Sequence, residues 1–243
     1  MPTEEKKNLK LENHLILYID ILGYRQQIEA HGEDKFLAMI DDSFERVMSF
    51  VKMDNINEDF EFKYKIFSDN IIVSLRFTGI NVYVMDFLNT AQMIQKGFIA
   101  RNILIRGAIT IGNLYIDDNY VYGSGLIKAY ELESKYAISP RIIIDHETYG
   151  FLMNFPESKF IIRAFREDDD GYFFIDYLYP GINNSSLKNY FMFDFIKTHR
   201  DYITEKISEF KKDDYVMQKY LWCKEYHNKI CEKEASSEYY ITS

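Results

Sequence analysis

The stretch LILYIDILGYR, residues 15–25, contains one acid, Asp20, inside a run that otherwise has the composition of a buried strand. Its apolar residues do not alternate with polar ones, so the pattern predicts a strand over 15–22 without a solvated face. An ionised carboxylate that lacks a partner is very costly in a dry core. Asp20 therefore needs water, a partner or a metal ion.

The composition is typical of a soluble globular protein: of 243 residues, 47% are hydrophobic and 28% are charged. A net charge of -9 argues against non-specific binding of nucleic acid, which needs a basic surface. Only two cysteines are present, which suits a reducing compartment. The N-terminus has no apolar signal-peptide core, and no run approaches the ~18 apolar residues that span a bilayer. We expect a cytoplasmic protein that does not bind a membrane.

The first half of the chain predicts the order strand, helix, strand, strand, helix, strand. The apolar spacing places these elements at residues 15–22, 33–53, 60–77 (two strands around a turn), 81–101 and 103–112. This order is typical of the ferredoxin-like βαββαβ unit, an α+β fold with an antiparallel sheet and both helices on one face. We expect a polar tail over 1–13 and one domain over 14–180.

The remainder of that domain predicts a Gly-rich turn into a helix, a strand PRIIID and a short helix HETYGFLMNF. Two closing strands, KFIIRAF and GYFFIDYL, are expected around the acidic turn 167–171. We expect residues 181–243 to form a C-terminal helical extension of two amphipathic helices, which either cover the sheet or form a dimer contact.

Asp69 lies in the turn of the predicted hairpin, and Asp20 ends the neighbouring strand. Two carboxylates at one sheet edge repel each other unless a positive group lies between them. A divalent cation such as Mg²⁺, which prefers oxygen ligands and triphosphates, is the natural occupant. The alternative is that Asp20 caps a turn and Asp69 is an ordinary hairpin acid.

Five blocks of the sequence carry a family resemblance: YIDILGY, KIFSDNIIV, LIRGAITIGNLY, VYGSGLIKAYELE and PRIIIDHETYGFL. In this order and spacing they resemble the catalytic domain of class III nucleotidyl cyclases over residues 14–180. Three stretches, RGAI, the AY-LE pattern and DGYFFIDYL, are most similar to the bacterial pyrimidine cyclases of Pycsar anti-phage defence.

The resemblance implies that Asp20, Asp69 and the backbone carbonyl of Ile21 bind two Mg²⁺ or Mn²⁺ ions per active site. It also implies a homodimer in which one subunit supplies the aspartates and the other the base- and phosphate-binding residues. The resemblance also implies phosphate contacts at Gly23 and at Arg163 or Arg166, and base contacts at Lys65 and Tyr120. We expect Tyr24 or Tyr120 to narrow the base pocket, and Arg106 and Lys128 are the candidate cations for the transition-state phosphate.

The chain departs from the purine cyclases at two positions. Those enzymes carry an Asn and an Arg on the helix after the Gly turn, where this chain has Ile127 and Glu131. Either the protein is inactive or another cation, such as Arg106 or Lys128, supplies the charge. Tyr120 stands where adenylate cyclases carry an aspartate that reads the purine base, and the absence of that aspartate fits a smaller base.

We therefore expect a lyase that converts UTP, or CTP, to the 3′,5′-cyclic nucleotide and pyrophosphate, most simply cUMP, which then signals to a separate effector in antiviral defence. One alternative is a degenerate cyclase-like domain that binds nucleotide or a partner without turnover. Another is a different palm-type phosphoryl transferase that uses the same two acids.

Two other clusters are weaker candidates. Cys223, His227 and Cys231 share one helix face at spacings of four, but they lack a fourth metal ligand, which favours ordinary packing. The acidic run FREDDDG favours a loop tip over a cation site. We expect the other four histidines to be solvated or capping residues.

Overall fold

A computed structural model describes residues 9–53, 62–77, 83–179, 188–233 and 237–242. The predicted turn at 54–60 lies outside them. The strands are β1 (Glu12–Ile21), β2 (Phe62–Phe67), β3 (Asn70–Arg76), β4 (Ile105–Ile116), β5 (Val121–Tyr122), β6 (Ile142–Ile144), β7 (Phe165–Glu167) and β8 (Phe173–Ile175). The helices are α1 (Tyr24–His31), α2 (Glu33–Met53), α3 (Val84–Ile99), α4 (Ser124–Tyr136), α5 (His146–Met153), α6 (Ser158–Ile161), α7 (Lys188–Glu209) and α8 (Asp214–Lys233).

Within the described residues, the sheet has the strand order β2-β3-β1-β4-β6-β8-β7, and β5 pairs with β4 outside this path. The pairs β2–β3, β3–β1 and β1–β4 are all antiparallel. With α1 and α2 between β1 and β2, and α3 between β3 and β4, this is the ferredoxin-like βαββαβ order. The predicted fold is therefore confirmed.

Both faces of β1 are covered, which explains why its sequence does not alternate. Leu15, Leu17 and Ile19 belong to the large core under α2 and α3. Ile16 and Tyr18 point to the other face, where they pack in a smaller cluster with residues of β3, β4 and α4. Asp20 follows Tyr18 by two residues, so its side chain is on the α4 face, at the end of the strand.

Helix α4 approaches β4 very closely because two glycines face each other. A Cβ atom at Gly112 would lie 2.6 Å from the Cα atom of Gly125. The packing distance leaves no room for a side chain at either position, which brings the buried face of α4 down onto the strands that carry Asp20 and Arg106.

The predicted strand KFIIRAF is wrong over most of its length. The chain forms α6 and then a 3-10 turn, Ile162–Ala164, before β7 begins. Ile161 and Ala164 are buried, whereas Ile162 is exposed. This spacing of three suits a helical turn, and tertiary packing overrides the β propensity of the Ile-Ile pair.

The C-terminal helices α7 and α8 pack against the domain, so the first of the two expected roles, covering the sheet, is the one observed within the chain. The Trp222 ring packs edge-on against Phe174 of β8 at 5.3 Å between centroids. The Tyr226 hydroxyl accepts a hydrogen bond from the Leu178 amide at 2.9 Å. No helix of the described residues is long and apolar enough to cross a bilayer.

Candidate active site

The sheet brings the two predicted aspartates together. Asp20 of β1 lies opposite Asn70 of β3 in the antiparallel register, and Asp69 immediately precedes Asn70 in the β2–β3 turn. The Ile21 amide donates a hydrogen bond to the backbone carbonyl of Asp69 at 2.8 Å. The side chain of Asp20 is only 18% exposed. Two carboxylates separated by 49 positions in sequence are thus brought to the same end of the paired strands β1 and β3.

Arg106 is the positive partner of Asp20. It lies opposite Asp20 in the β1–β4 register, and its Nε atom donates to Asp20 Oδ2 at 2.9 Å. The same Nε atom is 2.7 Å from Oε1 of Glu133, on α4. Because Nε carries a single hydrogen, which points to Asp20, Glu133 Oε1 is in ionic contact without a hydrogen bond.

Glu133, the last residue of the AY-LE pattern, is a buried acid to which sequence analysis assigned no role. Its side chain is 2% exposed. Burial raises its pKa to about 7, the negative charges of Asp20 and Asp69 raise it too, and Arg106 works in the opposite direction. The site therefore gathers three carboxylates around one guanidinium, which leaves an excess of negative charge when all three are ionised.

Asp69 is held by its neighbours on the same face. Asn70 Nδ2 donates to Asp69 Oδ1 at 2.8 Å. The Tyr18 hydroxyl donates to Asn70 Oδ1 in turn. Burial, followed by the charges of Glu133, Asp20 and Asp69, raises the pKa of Tyr18 to about 12, so the hydroxyl keeps its proton.

The donor set fits a hard divalent cation. Among the described residues, no three His, Cys, Asp or Glu side chains form a group that could hold a metal ion by themselves. Asp20 and Asp69 offer carboxylate oxygens, and Mg²⁺ typically binds through one or two carboxylates with waters and substrate phosphates completing the shell. A divalent cation bound by this pair would therefore need further oxygen ligands from water or a substrate.

Lys65 and Tyr120 belong to two neighbouring elements, strand β2 and the turn between β4 and β5. Lys65 Nζ donates to the Asp118 carbonyl at 2.5 Å, in the turn that also carries Tyr120. The Tyr120 side chain is 60% exposed, so it is available to a ligand or a second chain. Gly23 has φ 69° and forms the N-cap of α1, directly after β1, and Tyr24 packs edge-on against Phe36.

Three predicted basic residues are engaged elsewhere in the chain. Lys128 pairs with Asp145 at 2.8 Å, and Asp145 contacts Thr110, four residues or about 13 Å along β4 from Arg106. Arg166 pairs with Asp176 at 2.9 Å on the edge strand β7. Arg163 is in the 3-10 turn, not on a strand, and its guanidinium stacks over Phe160. Within one subunit, none of these contacts involves Asp20.

The two positions where purine cyclases carry Asn and Arg are on the outer face of α4. Ile127 is 60% exposed, and Glu131 pairs with Lys135 at 3.2 Å on the surface. Glu133, two residues further, is turned by about 200° and faces the sheet. A helical wheel of α4 separates these faces, but it does not reveal that Glu133 meets Arg106.

Helix α8 contributes a further cation near Asp20 that sequence reasoning missed. Burial and then the positive charge of Arg106 lower the pKa of Lys219, and the charge of Asp20 opposes them. The Lys219 ammonium is 4.7 Å from the centroid of the Tyr215 ring. Lys219, Trp222 and Tyr226 share one helix face, and the last two anchor that face to the domain.

The weaker candidates are structural. Cys223 and Cys231 are buried, and His227 stacks on His199, with 3.1 Å between their Nδ1 atoms. The expectation that His14 and His199 are solvated or capping residues is wrong, since both are buried, within β1 and α7. In the acidic turn, Asp168 and Asp170 form ion pairs with the buried Arg141, and Asp168 also accepts a hydrogen bond from Trp222 at 2.8 Å.

No family model and no curated protein matches the chain. Among solved structures, it is similar to the adenylyl cyclase CyaB from P. aeruginosa, with 16% identity, a TM-score of 0.48, and coverage of 70% of this chain and 96% of that one. It is also similar to the guanylyl cyclase domain of a RhoGC fusion protein from the fungus Blastocladiella emersonii, with 16% identity, a TM-score of 0.47, and coverage of 70% and 98%. A likeness of shape carries no chemical conclusion by itself.

Proposed function

We propose that the protein is a metal-dependent nucleotidyl cyclase that converts UTP or CTP to the 3′,5′-cyclic monophosphate and pyrophosphate. The convergence of Asp20 and Asp69 at the edge of a βαββαβ sheet carries this proposal. The pair offers only oxygen donors, it lies beside a guanidinium, and it leaves part of the coordination shell of Mg²⁺ or Mn²⁺ to a triphosphate.

The reaction is intramolecular, so the chain mainly positions its substrate. The 3′-oxygen forms a bond to the α-phosphorus while the bond to the bridging oxygen breaks, the hydroxyl proton passes to solvent, and pyrophosphate leaves. Two bound cations would supply Lewis-acid activation of the hydroxyl and neutralise the leaving group. Arg106 adds a fixed positive charge beside Asp20, where it stabilises charge on the phosphoryl oxygens.

The phosphates and the base have separate positions in this proposal. The amide groups at the start of α1, after Gly23, are suited to phosphate oxygens because a helix N-terminus carries partial positive charge. Lys65 and Tyr120 read the base, and Tyr24 or Tyr120 narrows the pocket around it. Tyr120 has no carboxylate that could accept a hydrogen bond from the amino group of a purine, which supports a pyrimidine substrate.

A homodimer completes the site. The outer side of α4 and the β4–β5 hairpin expose large side chains, among them Tyr122, Ile127 and Tyr130. We assign this surface to a second copy of the chain, which supplies Lys128, Arg163 or Arg166 as phosphate contacts. The cyclic product then acts on a separate effector in anti-phage defence.

One specific observation favours the alternative that the protein is a degenerate cyclase-like domain without turnover. Ile127 and Glu131 occupy the exposed face of α4 where purine cyclases place an Asn and an Arg. A protein of this kind binds nucleotide and releases it unchanged, so product formation decides between the two functions.

The purified full-length protein is expected to form cyclic UMP or cyclic CMP when it is incubated with each of the four nucleoside triphosphates and Mn²⁺. Chromatography with mass detection separates cyclic monophosphates from linear and dinucleotide products. Faster turnover of ATP or GTP would contradict the pyrimidine assignment. Binding without any product would support the degenerate domain, and a linear product would support a different phosphoryl transferase.

Replacing Lys219 with Ala is expected to raise the KM for the triphosphate about fivefold, or about 1 kcal/mol, with a smaller change in kcat. The reason is that α8 holds this ammonium on the same side as Arg106 and Asp20. Lys219→Arg should restore most of the affinity. The matched control is Lys229→Ala on the same helix, where the side chain is exposed and pairs with Asp169. An equal KM for both Ala variants would exclude a role for Lys219.

A further inference from the structure

Asp69 is linked to β1 by two consecutive hydrogen bonds. Asn70 Nδ2 donates to Asp69 Oδ1 at 2.8 Å, and the Tyr18 hydroxyl donates to Asn70 Oδ1. Tyr18 precedes Asp20 by two residues on β1, so the two side chains share a face of the strand. These two hydrogen bonds therefore connect Asp69 to the strand that carries Asp20.

The Tyr18 hydroxyl fixes which way the Asn70 amide points. An amide has one acceptor end and one donor end, so an acceptor end occupied by Tyr18 places the donor end on Asp69. The Tyr18 hydroxyl donates this hydrogen bond across the paired strands β1 and β3.

Tyr18 is itself held rigidly. Its side chain is 6% exposed and packs with Ile16 and Ile72 on the α4 face. The ring of Tyr130 on α4 meets it edge-on, with 5.8 Å between centroids. Tyr130 contributes packing to Tyr18, and it is half exposed. The hydroxyl of Tyr18 therefore reaches Asn70 from a fixed ring.

We propose that Tyr18 and Asn70 are positioning residues, which occupy one oxygen of Asp69 and leave the other directed at the divalent cation. This inference rests on the proposed function, because it assigns to Asp69 the role of a metal ligand. A group that hydrogen-bonds a ligating carboxylate fixes its orientation, and loss of such a group typically weakens metal binding 10–100-fold.

The test is a titration of the full-length protein with Mn²⁺ alone, in which electron paramagnetic resonance measures the free ion. Tyr18→Phe and Asn70→Ala are each expected to weaken Mn²⁺ binding about tenfold. The double variant should bind Mn²⁺ no more weakly than the single variant with the lower affinity, because both residues act through the same carboxylate oxygen. Tyr64→Phe is the matched control, because it removes a tyrosine hydroxyl that donates to Glu45 outside the proposed site, and it should bind Mn²⁺ as the unmodified protein does.

The outcomes separate this inference from the function on which it rests. Tyr18→Phe removes one oxygen from a packed ring, so circular dichroism and the melting temperature establish that the fold persists. Unchanged Mn²⁺ affinity in Tyr18→Phe and Asn70→Ala, alongside weakened binding in Asp69→Asn, would overturn the positioning role alone. If Asp69→Asn also binds Mn²⁺ like the unmodified protein, the metal site of the proposed function fails with it.

Discussion

The Asp69→Asn variant is expected to lose cyclic nucleotide formation by about 1000-fold, which corresponds to about 4 kcal/mol of transition-state stabilisation. The change removes one of two carboxylate charges from the proposed metal site. Its remaining amide oxygen can still accept the hydrogen bond from Asn70, so the β2–β3 turn keeps its contacts. The measurement is product formed from UTP and CTP in the presence of Mg²⁺ or Mn²⁺.

The control for this variant is Asp169→Asn, which neutralises an acid that is 89% exposed in the acidic turn between β7 and β8. It changes the net charge equally and lies outside the proposed site, so activity should stay within a factor of about two. The melting temperatures of the two variants should agree closely. An active Asp69→Asn protein would refute the assignment of Asp69 as a metal ligand.

The sequence was sufficient for the βαββαβ order because each element has a strong local signal. The run 15–22 predicted a strand covered on both faces, and the structure places helices on both sides of β1. The strand prediction for KFIIRAF was wrong because its Ile-Ile pair favours a strand intrinsically, whereas the tertiary packing buries Ile161 and Ala164 at helical spacing. Short elements depend on their surroundings more than on their own residues.

The site was predictable only where it follows from strand pairing. Asp20 and Asp69 meet because their strands are neighbours in the split unit, so topology alone brings them together. Glu133 contacts Arg106 from α4, and Lys219 lies on α8 within the electrostatic range of Arg106 and Asp20, so the positions of both depend on how these helices dock. The Gly112–Gly125 contact sets how closely α4 packs on β4, and no spacing of residues in the sequence predicts that contact.

Replacing Arg106 with Met is expected to lower the free energy of unfolding by about 3 kcal/mol at pH values of about 8, and by clearly less at about pH 6. Arg106 is the cation that Asp20 and the buried Glu133 share. Removal of one partner from a buried ion pair leaves an uncompensated charge, which is destabilising unless the remaining group binds a proton.

The sign of the pH dependence follows from the pKa of Glu133. Burial raises this pKa from 4.5 to about 7 in the folded protein, so the folded state binds more protons than the unfolded state between those values. Stability from this group is therefore present at low pH and is lost as the pH rises towards 7. Arg106 lowers the pKa of Glu133, so its removal raises that pKa further. The loss then continues above neutral pH, by about 1.4 kcal/mol for each unit of pKa.

Urea denaturation of the unmodified protein and of Arg106→Met at both pH values measures this difference. The double variant Arg106→Met with Glu133→Gln is the decisive comparison, because a glutamine at position 133 does not titrate. In that variant the additional loss of stability between the two pH values should disappear, while Arg106→Met alone retains it. If Arg106→Met were destabilised equally at both pH values, Glu133 would not be the acid that Arg106 compensates. The proximity of Arg106 and Glu133 would then result from packing, and Asp20 would be the acid that Arg106 neutralises.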